Sequence, residues 1–174
     1  MKVDFVFENG IGSDNPNVKK MMRATPAICR ILKIKEPPKH IQFIPRHFGW
    51  FGGFNPVSKE IIINVGGLER ALVNKNWRYW ERLKHQLSPW KPDIFIHTLA
   101  HEFQHLKQSQ EGRLVYLGDG SSADFLWKGQ PLNYFTGIYN GKVKGYQRLP
   151  SEIEANRMAN YVTKELHREK YLYP

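Results

Sequence analysis

Hydrophobic and polar positions alternate at the start of the chain. Val3, Phe5 and Phe7 fall on one side and Asp4 and Glu8 on the other, which predicts a first strand. After a polar loop at residues 10–17, Val18, Met21, Met22, Ile28 and Leu32 follow helical spacing. Pro26 is expected to kink that helix or split it, with Thr25 capping the second piece. Residues 41–44 read as a short strand closed by Pro45, residues 49–56 as a ring-rich turn, and residues 59–65 as the clearest strand. Helical spacing returns after Gly66-Gly67 in Leu68, Ala71, Leu72, Trp80, Leu83 and Leu87, and Trp77, Tyr79 and Trp80 are expected as core or interface rings.

The strongest helical pattern spans residues 92–112. Phe95, Ile96, Leu99, Ala100, Phe103 and Leu106 make one apolar stripe, and His97, His101 and His105 project from roughly the opposite side. Pro92 and Asp93 supply start signals and Gly112 a stop. One face is therefore expected on a core and the other toward a cleft or solvent. Residues 114–117 follow as a short strand, residues 118–122 as a loop and residues 127–131 as a turn. Asn140-Gly141 between Ile138-Tyr139 and Lys142-Val143 is a two-residue hairpin signal. A last helix starts at Leu149-Pro150-Ser151, where Ser151 forms an S-x-x-E capping box with Glu154, and buries Ala155, Met158, Ala159, Val162 and Leu166. Residues 171–174 form a tail that docks or frays. The expected architecture is a single α+β domain over residues 1–174, a small, mostly antiparallel sheet packed on the central helix.

Composition adds little to this except through charge and cysteine. One cysteine, Cys29, excludes an internal disulfide and sits in an apolar helical pattern. No hydrophobic leader and no apolar run near the roughly 20 residues of a membrane span are seen, so a cytoplasmic, non-membrane protein is expected. The net charge is +10 and much of it falls early, where Lys19, Lys20, Arg23, Arg30, Lys33, Lys35, Lys39 and Arg46 face only Glu36. A solvated basic face is favoured over a nucleic-acid surface, because no nucleic-acid motif accompanies it.

The chemistry lies in His101-Glu102-Phe103-Gln104-His105, an H-E-x-x-H on a helix. Residues four apart share a helix face, so His101 and His105 can aim two imidazoles at one metal ion. Glu102 then stands beside the metal as a general base for metal-bound water. His97, one turn earlier, reads as a cleft-wall residue or one supporting the ligands. Gln108 and Glu111 stand where a metzincin-type site continues with Gly and His. A third ligand must come from elsewhere. Glu152 is favoured over Glu154 because it borders the buried stripe of the last helix, while Glu154 is used by the capping box. Asn156, four residues on, is placed to orient a ligating histidine. Tyr146, Tyr139, Tyr134 and Arg148 are candidates to stabilise the transition state, Tyr146 first among them.

His101-Glu102-x-x-His105 followed by Glu152-Ile153-Glu154-Ala155-Asn156 resembles the gluzincin metallopeptidases, and among them the ImmA/IrrE-like group with its H-E-x-x-H and E-x-x-A-N. The resemblance spans roughly residues 18–166 and rests on these two motifs. It implies a zincin-like fold, a Zn2+ held by His101, His105 and Glu152, a Glu102 base and a protein or peptide substrate. By the same analogy residues 59–65 are expected as the sheet edge beside the cleft, pairing with substrate, and the aromatic turn at residues 50–54 as an apolar wall. Two alternative readings are a nucleic-acid-associated SprT-like protease and a catalytically silent zincin serving as a binding or virion structural module. No helix-turn-helix segment accompanies the motifs.

Overall fold

The computed structural model describes residues 3–8, 10–46, 50–73, 93–118 and 124–169. The first strand, β1 (Asp4–Phe7), leads into α1 (Pro16–Leu32). Asn15 caps α1 by accepting from the N–H groups of Asn17 and Val18. The helix is unbroken through Pro26, and Thr25 lies inside it with its hydroxyl donating to Met21 O at 2.9 Å, rather than capping a second piece. Strands β2 (His40–Ile44), β3 (Gly52–Asn55) and β4 (Glu60–Asn64) complete a four-stranded sheet in the order β1-β2-β4-β3. β1, β2 and β4 run parallel, and only β3 is antiparallel to its neighbour.

Two expectations are corrected here. The sheet against the motif helix is mostly parallel, because the crossover through α1 returns the chain in the same direction. And the segment expected at the edge is central: β4 pairs on both sides, and Ile61 and Ile63 are fully buried. The edge beside the helix belongs to β3, inside the segment read as a turn.

Helix α2 (Val65–Val73) follows β4 directly. Asn64 joins the two elements to β3, accepting from Gly67 N–H at 3.0 Å and donating to Trp50 O at 2.8 Å. The expected rings Trp77, Tyr79 and Trp80, with Leu83, Leu87 and Pro92, lie outside the described residues, as do most of the expected 118–122 loop and the 171–174 tail.

Helix α3 (Ile94–Gln110) starts from Asp93, whose carboxylate accepts from Phe95 N–H and Ile96 N–H. Its apolar stripe of Phe95, Ile96, Leu99, Ala100, Phe103 and Leu106 enters the main core with Ile41, Phe43, Ile61 and Ile63 of the sheet and Met21, Ile28 and Leu32 of α1. Burying one such large side chain is worth about 1.5–3 kcal/mol. The opposite face of α3, expected toward a cleft or solvent, lines a cleft at Glu102 and His105 and is otherwise covered. Helix α4 (Pro150–Arg168) covers it with Ala159, Val162 and Leu166. Cys29 is buried in this core, and burial pushes its thiol up to about 12.

Between α3 and α4 the chain builds a second sheet, the antiparallel meander β5 (Leu114–Tyr116), β6 (Asp124–Trp127), β7 (Gln130–Asn133), β8 (Ile138–Tyr139) and β9 (Lys142–Val143). The expected Asn140-Gly141 hairpin forms with φ of 46° and 71°, and Lys128-Gly129 makes a matching turn with φ of 51° and 79°. Leu114, Trp127, Leu132 and Leu149 give this sheet its own small core. A short 3-10 turn at Tyr146–Arg148 leads into α4. The protein is thus an α+β structure of helices and two small sheets, and among the described residues no helix is long and apolar enough to cross a membrane.

The expected capping box is also corrected. Pro150 takes the first turn of α4 with Leu149 as N-cap and no side-chain cap. Ser151 is inside the helix, its Oγ 2.8 Å from Tyr134 OH, and Glu154 is held by Arg113 and Gln104 instead.

Candidate metal centre

Helices α3 and α4 run antiparallel, and their facing polar side chains pair at a constant register. His97 faces Asn160, His101 faces Asn156 and His105 faces Glu152. Each step is four residues on both helices, close to one turn. That repeat puts two imidazoles and one carboxylate at one level between the helices.

The three groups converge. His101 Nε2 and His105 Nε2 lie 3.0 Å apart. Glu152 presents Oε2 to His101 Nε2 at 3.2 Å and Oε1 to His105 Nε2 at 3.0 Å. Metal–ligand bonds of about 2.0–2.2 Å at tetrahedral angles set neighbouring ligand atoms about 3.3 Å apart, close to this triangle. The outer nitrogens agree. His101 Nδ1 meets Asn156 Oδ1 at 3.1 Å and His105 Nδ1 meets Gln108 Oε1 at 2.9 Å. A hydrogen on each Nδ1 leaves both Nε2 lone pairs aimed at a carboxylate and at each other, a repulsive set that a cation resolves. Glu152 Oε1 is buried without a hydrogen-bond donor, as suits a ligand oxygen. The donor set therefore fits a metal ion.

Glu102 lies on the same helix but is not part of the triangle. It is 6 % exposed and lines one cleft with His105, Glu152, Tyr134 and Tyr146. Burial pushes its carboxyl up, while His101 and His105 pull it down. Its position depends on β3, because a Cβ at Gly52 would come within 3.0 Å of Glu102 Oε1 and 2.8 Å of Thr98 Cγ2. Gly52 thus lets the edge strand lie directly on the motif helix. Gly52→Ala is expected to cost about 1–3 kcal/mol, as overpacking does, and to displace the Glu102 carboxylate. A urea melt reads the first effect and peptide turnover by the variant reads the second.

The far wall of the cleft comes from the second sheet. Tyr116, Phe125, Tyr134 and Tyr146 form a chain of rings with centroids 5.1, 4.9 and 5.8 Å apart. Tyr134 also stands edge-on to His105 at 6.4 Å. Burial first, then the Glu152 and Glu102 carboxylates, push the Tyr134 and Tyr146 hydroxyls up, so both remain proton donors. The Tyr134 hydroxyl is committed to Ser151, whereas the half-exposed Tyr146 turns its hydroxyl to Glu152. Of the other two candidates, Tyr139 packs on the small core of the second sheet and Arg148 is exposed, and neither lines the cleft.

In the metal-free protein a proton occupies the place of the cation. Burial works against charging His105, but Glu152 outweighs it, aided by Glu102 and Gln108, and raises the imidazole from 6.5 to about 9. Burial likewise opposes the Glu152 carboxylate, and the two imidazoles reverse this and hold its carboxyl below the usual range. A raised folded-state pKa stabilises fully below the unfolded value and ceases to do so as pH climbs through the folded value. The metal-free protein is therefore expected to lose stability between pH 6.5 and about 9. A bound metal replaces that proton, so the loaded protein is expected to hold its Tm over the same window. Thermal melts with chelator and with metal, across the pH range, read the difference.

The structure brings together His101, His105 and Glu152, with Glu102, Asn156 and Tyr146 around them. His97 does not reach the cleft. It is buried at the helix interface beside Asn160, and burial and the neighbouring His101 push its pKa down to about 3. Three residues at the site were not singled out for it in the sequence: Gln108 on His105, and Arg113 and Gln104 on Glu154. The signal for Gln108 is its spacing, one turn beyond His105 on the same face. No family model, no curated protein and no solved structure matches the chain.

Proposed function

We propose that the protein is a gluzincin-type zinc metallopeptidase, hydrolysing peptide bonds with Glu102 as general base. The observation that carries this reading is the convergence of the His101 and His105 Nε2 atoms on the Glu152 carboxylate beside a buried Glu102. Zinc, when bound, supplies a Lewis acid that polarises the scissile carbonyl and lowers the pKa of water. His101, His105 and Glu152 would hold it, and Asn156 and Gln108 keep the two imidazoles turned to it.

Glu102 takes a proton from the attacking water on its carboxylate and passes it to the leaving amine nitrogen. Its burial raises its basicity above that of an exposed carboxylate, the direction that suits a general base. Tyr146, kept protonated, donates to the carbonyl oxygen as negative charge develops there. The edge strand β3, whose outer side pairs with no strand among the described residues, aligns an extended peptide by main-chain hydrogen bonds, the role first assigned to residues 59–65. Trp50, Phe54 and the tyrosine wall favour apolar substrate side chains.

A buried Glu102 on the cleft beside the His101, His105 and Glu152 cluster supports an enzyme over a silent scaffold. Incubating the zinc-loaded protein with casein and a peptide library tests the reading. Cleavage that a chelator abolishes and zinc restores supports it, and absence of any cleavage over a broad library counts against it.

A further inference from the structure

We infer that Gln108, Glu154 and Arg113 form a positioning relay that fixes the ring orientation and tautomer of His105 and ties it to the second sheet. The inference rests on the metal-site reading for its effect on zinc, but not for its effect on the imidazole.

Gln108 is fully buried between α3 and α4. Its Nε2 donates to Ser151 O at 3.1 Å and lies 3.5 Å from Glu154 Oε1. Both of these atoms are acceptors, so a reversed amide would set oxygen against oxygen twice in a dry interface. The amide oxygen must therefore face His105 Nδ1, as it does at 2.9 Å. An acceptor at Nδ1 holds a ring hydrogen there and keeps Nε2 turned toward Glu152, where its lone pair can take a metal.

Glu154 is itself immobilised. Its Oε1 accepts from Gln104 Nε2 at 2.7 Å, and Arg113 Nη1 lies 2.6 Å from each of its oxygens. Arg113 is in turn held by Glu111 at 2.8 Å and lies over the Trp127 ring at 5.4 Å. Trp127 belongs to the core of the second sheet, which also supplies the tyrosine wall. An unbroken series of contacts thus runs from that sheet through Arg113, Glu154 and Gln108 to the ligand imidazole. The residue that excluded a metzincin pattern in the sequence is the one that orients His105.

Three measurements test the relay. Gln108→Met keeps length and removes the acceptor, and partners of this kind are worth about 10–100-fold in metal affinity, so its zinc Kd in chelator competition is expected to rise by that factor. Glu154→Gln is expected to weaken zinc in the wild-type background and to add nothing in the Gln108→Met background, because it acts through Gln108. In the metal-free protein, with the ring charged, proton spectra are expected to show a His105 Nδ1 hydrogen protected from exchange with water by Gln108, and a fast-exchanging one in Gln108→Met. If Gln108→Met fails to fold, the Glu154→Gln protein carries the same exchange measurement.

A zinc Kd within about twofold of wild type in Gln108→Met, additive losses in the double variant, or an unchanged exchange of the Nδ1 hydrogen would each overturn the relay. A wild-type protein that shows the Nδ1 hydrogen yet binds no zinc would leave the relay standing and remove the metal reading.

Discussion

Glu102→Gln is expected to bind zinc as tightly as wild type and to lose about 10²–10⁴-fold in kcat/KM, the range that a positioned general base contributes. The carboxylate is outside the ligand triangle, so its amide isostere leaves the donor set intact. The amide is also close in shape to the carboxylate that lies against Gly52. Burial disfavours the charge of Glu102, so the neutral variant is expected to melt no lower than wild type. Parallel measurement of zinc stoichiometry, Tm and peptide turnover separates this pattern from damage to the fold. A fully active Glu102→Gln protein would remove the base from the mechanism.

Glu152→Gln is expected to have the larger effect on stability. Zinc at 100 times its Kd stabilises a protein by about 2.7 kcal/mol. For a chain of this size that corresponds to a rise in Tm of about 5–11 °C. Replacing the carboxylate removes the negative charge and one ligand oxygen while leaving two imidazoles facing each other at 3.0 Å. The zinc-dependent rise is expected to disappear, and with it turnover. The metal-free variant also loses the pairing that holds His105 protonated, so its alkaline loss of stability is expected to flatten. A Glu152→Gln protein that kept the full zinc-dependent rise would assign the third ligand elsewhere.

The parts of this fold that local chemistry specifies were readable from the sequence. The Asp93 cap and the stripe from Phe95 to Leu106 define α3 within one segment, and Asn140-Gly141 defines its hairpin within two residues. The constellation of His101, His105, Glu152 and Asn156 was readable for the same reason, since helical spacing alone places each member on the right face. What pairing over distance decides was not. β3 contains Gly52-Gly53, weak strand formers that read as a turn, and becomes a strand only because β4 pairs with it and α3 needs a backbone without a side chain against Glu102. The near-continuous run Ile61-Ile62-Ile63 also permits a strand paired on both sides, and only analogy favours the edge role over it.

Ser151 and Glu154 show the opposite failure. The spacing of a capping box was present, but Pro150 moved the helix start upstream and Arg113, 41 residues away in the chain, took the carboxylate. The same distance hid Gln108, whose two donor contacts lie on α4. Polar side chains on the buried side of a helix carry no local sign of which element covers them. Here α4 covers part of a face expected toward a cleft or solvent, and a candidate metal site lies between the two helices.

The central claim is that this interior site holds one metal ion. Elemental analysis of the purified protein, beside a His101→Ala control prepared in the same way, tests it most directly. About one equivalent of zinc per chain in the wild type and little in the control is the expected result. Equal zinc in both proteins, or none in either after incubation with zinc, would contradict it.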